Sequence, residues 1–184
     1  MRFALSILRT LSALMISVTL LMFANSMFST LLALRANIEN YSNEMVGLMA
    51  SAYFFGFALG TFQSGLLINR VGHIRTFAAL SAIAAASAMM VLIIQGPWAW
   101  VVLRAIMGAA SAGLFVVVES WLNNRATNSS RGILLSIYIV IGYTASAVGQ
   151  QAIKLGDPAS FGLFLLVGIV LVLSLAPASM TRAP

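Results

Sequence analysis

The stretch Gly65-Leu66-Leu67-Ile68-Asn69-Arg70-Val71-Gly72-His73-Ile74-Arg75 joins two long apolar runs through one short basic turn. Gly65 would let another helix come close at the end of the first run, and Gly72 would supply a turn with positive φ. Arg70 and Arg75 could hold helix-end carbonyls, a carboxylate or a lipid phosphate. From spacing alone, the turn is equally readable as a plain basic loop that marks one side of a membrane.

The runs on either side decide the class. Residues 45–68 and 77–95 are each long enough to cross a hydrocarbon core about 30 Å thick at about 1.5 Å per residue. Four more runs of that kind lie at 11–34, 99–122, 133–153 and 161–178, so six spans are expected in one domain over residues 1–184. Apolar residues make up 61% of the chain and charged ones 8%. An ordinary soluble domain carries roughly a quarter charged residues, so one soluble core could not hide this much apolar surface. The run at 11–34 is too long for a signal-peptide core and reads as a first spanning helix.

The breaks are polar or turn-forming: residues 35–43, Gly96-Pro97, residues 123–132 and Gly156-Asp157-Pro158. Arg2, Arg9, Arg70, Arg75, Arg125, Arg131 and Arg182 fall on one side of the six spans. Arg35 and Lys154 fall on the other, with Glu39, Glu44 and Asp157. The basic side is expected to be cytoplasmic, with both termini there.

The net charge of +6 is spread singly between apolar runs, without a basic patch, so nucleic acid is not an expected partner. The chain has no cysteine and one histidine, His73, which argues against disulfides, thiol chemistry and a metal site; no cofactor is expected. An intramembrane protease would need a base beside a serine within the membrane, yet His73 lies in a loop, so an enzyme is not expected. No Asn-Pro pair and no glycine-rich carbonyl filter occurs, which argues against a channel.

Small residues recur four apart in the second span, at Gly56, Gly60 and Ser64. They read as a helix-packing groove. The fourth span carries Arg104, with Gly108, Ser111 and Phe115 on the same helical face, and Gly113 nearby. An arginine inside an apolar helix either faces a bundle interior or cavity, or snorkels to the interface. Glu119 sits about 22 Å further along the same helix, too far to pair with Arg104. Its alternatives are ion pairs with loop arginines, proton carrying, or an exposed interfacial carboxylate.

The loop resembles the major facilitator motif Gly-x-x-x-Asp-Arg-x-Gly-x-Arg, matching at Gly65, Arg70, Gly72 and Arg75 and departing at Asn69, where the family usually has Asp. Asn can accept a hydrogen bond but cannot form an ion pair. Arg104-x-x-x-Gly108 resembles the fourth-helix motif of that superfamily. The run from Val116 to Glu119 and Ser120, then Arg131-Gly132 and Gly149-Gln150, resembles its YcaD-like branch.

The resemblance implies the amino-terminal half of a twelve-helix secondary transporter, built as a 3+3 inverted repeat and working by alternating access in the inner membrane. It implies a small-molecule substrate, with protons as a candidate coupling ion. Arg104, Asn25 and Gln150 become cavity or coupling candidates. Gly65, Asn69, Arg70, Gly72, Arg75, Glu119, Arg125 and Arg131 become a cytoplasmic gate. Lipid, a second six-helix half or another copy of the chain would cover the remaining surface. The rival reading is a split or truncated membrane module that transports nothing by itself.

Overall fold

In the computed structural model, residues 2–126 and 130–180 are described, with their side chains except those of residues 2–11 and 125. All regular structure among them is helical. The long helices are α1 (Arg2–Ile38), α2 (Asn43–Val71), α3 (His73–Met90), α4 (Pro97–Arg125) and α5 (Arg131–Gln151, continued by one 3-10 turn over Ala152–Leu155). The sixth span consists of α6 (Gly162–Leu173) and the short α7 (Leu175–Ser179). Six helical segments are long and apolar enough to cross a membrane.

Local chemistry sets the ends. Ser42 caps α2, its hydroxyl accepting from the Met45 amide at 3.4 Å. Pro97 stands at the first position of α4, where its missing N–H costs nothing. Gly72, at φ 85°, both ends α2 and begins α3. One expected span needs correction. The third ends at Met90 and not at residue 95, because residues 91–94 turn ahead of Gly96-Pro97 although they remain apolar. The sixth runs as one span over Gly162–Ser179, with a single turn at Ser174 ahead of Pro177, which has no N–H to give the Leu173 carbonyl. Ser174 Oγ donates to the Leu171 carbonyl at 2.6 Å.

The packing is paired. α4 lies on α2 and α3, while α1 lies on α5 and α6. α1 also meets α4, and α3 meets α6. Exchanging α1–α3 with α4–α6 leaves this pattern unchanged, which is the contact symmetry of a 3+3 repeat. α1 and α4 are the most buried spans, and α2 and α5 the least.

In lipid, close approach of backbones substitutes for the hydrophobic effect as the source of helix association. Gly56 and Gly60 of α2 lie against the Ala105 and Ala109 backbone of α4, and Gly108 lies against the Tyr53 carbonyl. A Cβ at any of the three would overlap main-chain atoms. Gly149 of α5 meets the Phe23 carbonyl of α1 in the same way. Gly113 lies under Leu80 beside Ser64. Gly65 does not belong to this set: a side chain there would meet nothing within 4 Å, so it makes no close helix contact. Fully buried Trp121, Phe28, Phe77 and Phe164 fill the space between the pairs, with Phe28 and Phe164 edge to face at 6.3 Å.

Candidate functional site

Three helices converge on Arg104. The residue is 6% exposed, so its guanidinium is inside the bundle and does not snorkel. Nη2 donates to Ser29 Oγ of α1 at 3.2 Å. The guanidinium carbon stands 4.5 Å from the Tyr53 ring centroid and 5.6 Å from that of Phe28, a cation–π sandwich between α2 and α1. Nη1 is buried without a hydrogen-bond partner. Among the described residues the one ion pair is Arg35–Glu39, at 2.7 Å and exposed, so no carboxylate balances Arg104.

The polar group extends along α1 and α4. Asn25 Nδ2 donates to Tyr53 Oη at 3.0 Å, and Ser111 Oγ donates to Asn25 Oδ1 at 3.3 Å. Tyr53 therefore carries two roles: its ring faces Arg104 and its hydroxyl fixes Asn25.

Asn25 also borders a pocket of about 340 Å³ with Met22, Phe115, Glu119, Tyr138, Ile139, Tyr143 and Ser146. Tyr138 Oη donates to Glu119 Oε1 at 3.1 Å. Among the described residues Glu119 forms no ion pair with a loop arginine. The carboxylate is turned along α4 toward α5, where Tyr138 meets it. Gln150 is exposed further along α5 and does not line this pocket, so it is not brought together with Asn25 and Arg104.

At the end of α4 beyond Glu119, the α2–α3 turn is held by His73, whose Nε2 is 3.1 Å from Ser120 Oγ and whose ring lies 5.8 Å from that of Trp121. Asn69, Arg70, Arg75 and Arg131 are exposed there, and the side chain of Arg125 lies outside the described residues. Arg70 borders an apolar groove between α2, α3 and α4, with Gln63, Leu66, Leu80 and Ile106. No group of three metal-ligating side chains occurs among the described residues. Nothing in the sequence around Tyr53 or Tyr138 marks either as a site residue. Their roles depend on partners 28 and 19 residues away, on other helices.

Residues 14–183 match the Major Facilitator Superfamily. The chain belongs to that superfamily. Its similarity to superfamily relatives is spread along the spans: an uncharacterised MFS-type transporter of Enterobacter sp. strain 638 is 36% identical over 146 residues, covering 79% of this chain and 38% of the relative. The uncharacterised MFS-type transporter YcaD of Escherichia fergusonii is 30% identical over 174 residues, covering 95% of this chain and 46% of the relative. YcaD of Escherichia coli O139:H28 is 34% identical over 146 residues, with 79% and 38% covered. The chain thus spans less than half the length of these relatives. Superfamily members are transporters and not enzymes, and six spanning helices make this chain a multi-pass membrane protein. The likeness to YcaD places it in the YcaD-like branch.

Proposed function

We propose that the chain supplies the amino-terminal six-helix half of a secondary transporter, which moves a small solute across the inner membrane by alternating access. The observation that carries this reading is the guanidinium of Arg104, buried where α1, α2 and α4 meet, with one nitrogen unpartnered and no counter-ion among the described residues. A charge in such a place is costly, and residues that bear the cost inside membranes mark substrate or ion pathways. Asn25, Tyr53 and Ser111 extend that polar site toward an open pocket.

In this reading Arg104 binds substrate or couples its movement to protons, and Asn25 lines the route. Gly72, Asn69, Arg70, Arg75, Arg125 and Arg131 form the gate at the cytoplasmic end, where both termini lie. Glu119 belongs to that gate as well, with Tyr138 donating to one of its two oxygens. The arginine-rich turns would hold one access state, and a ligand would shift the balance by binding the two states unequally.

A second reading has specific support. α2 and α5 are the least buried spans, and the chain covers 38–46% of its relatives. The six helices would then be a module that acts only with a second six-helix half or a second copy. Uptake of radiolabelled cationic, neutral and anionic solutes into liposomes tests both. Flux with the purified chain alone would rule out the module, whereas flux that appears only when a second six-helix half is co-reconstituted supports it. No flux in either preparation for any solute would sink the transport reading.

A further inference from the structure

The pocket beside Glu119 has a chemistry of its own. Among the described residues, Glu119 is the only formally charged one on its wall, and none of the basic ones lines it. The carboxylate is exposed toward the pocket space and accepts a hydrogen bond from Tyr138. Three aromatic rings, Phe115, Tyr138 and Tyr143, share the wall with it. Arg104 does not line the pocket: its guanidinium is sandwiched by Tyr53 and Phe28, and its place in α4 is about 22 Å along the helix from Glu119. Arg131 lies at the start of α5, about 10 Å along that helix from Tyr138.

A carboxylate attracts a cation, and aromatic faces add to that attraction when the cation is poorly hydrated. An anion would meet uncompensated repulsion from Glu119. A volume of about 340 Å³ matches a small organic molecule more closely than a bare metal ion. Metal binding would also need more carboxylate, imidazole or thiolate ligands than the one the wall supplies.

We infer that this pocket is a binding site for small organic cations of the alkylammonium class, with Glu119 as counter-ion and Phe115, Tyr138 and Tyr143 as the aromatic cage. Tyr138 orients the carboxylate, and Asn25 and Ser146 supply polar contacts on the flanks. This names the substrate class of the transporter proposed above and rests on that reading for its biological role, although binding itself does not require transport.

The test titrates benzyltrimethylammonium, and separately benzenesulfonate, against the purified full chain in detergent, with saturation-transfer NMR as the readout. The expected result is binding of the cation and none of the anion. Glu119→Gln should weaken the cation at least about tenfold and Glu119→Asp should retain most of the affinity. Ser146→Lys, which places a positive charge on the wall and leaves Glu119 intact, should abolish cation binding independently of any folding effect at Glu119. Equal binding of the anion, or cation affinity unchanged in both Glu119→Gln and Ser146→Lys, would overturn the assignment. If the cation fails to bind while anionic or neutral solutes still cross liposome membranes, this inference falls and the transport reading stands. If the cation binds through Glu119 and no solute crosses, the transport reading falls and the site stands.

Discussion

The guanidinium of Arg104 lies 4.5 Å from the centre of the Tyr53 ring, while the hydroxyl of the same tyrosine accepts from Asn25 at 3.0 Å. One side chain of α2 therefore ties the buried charge of α4 to the polar residue of α1. Because α2 reaches α4 through Gly56 and Gly60, the ring can approach the guanidinium only while those backbones are in contact.

A buried cation without a carboxylate costs stability, so its removal should be tolerated by the fold and not by the function. Arg104→Met keeps comparable volume between Phe28 and Tyr53 and removes the charge. Its melting midpoint in detergent should equal or exceed that of the parent, in line with the gain of about 1–4 kcal/mol seen when buried ionic groups give way to apolar ones. A large drop in the midpoint would make Arg104 a structural residue.

Two glycines five residues apart should behave oppositely. Gly60→Leu drives a side chain into the Ala109 backbone and should cost about 3 kcal/mol or more, visible as aggregation on size exclusion. Gly65→Ala opens into empty space and should change stability by no more than about 0.5 kcal/mol.

That contrast also shows what a sequence can and cannot convey. The six spans were legible because length and apolarity are properties of a segment by itself. The end of α3 was not, since apolar residues 91–94 satisfy a hydropathy count whether they are helical or turned. Gly65 and Gly60 look alike in a motif, and only the position of α4 distinguishes them. Arg104 was legible as a misplaced charge, but its partners Ser29, Phe28 and Tyr53 come from two other helices. Tyr138 was not legible as a partner of Glu119 for the same reason, since α5 brings it in from 19 residues away.

The Tyr53–Asn25 hydrogen bond should show energetic coupling. Tyr53→Phe and Asn25→Ala should each destabilise the chain, and the double variant should cost less than their sum by about 0.5–1.5 kcal/mol. A coupling of zero in thermal unfolding would mean that the two side chains act independently.

Gly72 stands at φ 85° and ψ 166°, a region that side-chain-bearing residues avoid. Gly72→Ala should cost about 1–3 kcal/mol and loosen the α2–α3 turn that His73 ties to Ser120. Faster amide hydrogen exchange confined to residues near that turn would be the readout, and unchanged exchange would count against a strained turn.

The chain has no native cysteine, so one introduced thiol reports on access to the pocket without background. The most direct test of the transport account places Ser146→Cys on the pocket wall of the protein in its native membrane. An impermeant maleimide is then applied to right-side-out and to inside-out vesicles. Alternating access predicts labelling from both sides, in proportions that Arg104→Ala shifts by at least about threefold. Labelling from a single side, with proportions indifferent to Arg104→Ala, would contradict it.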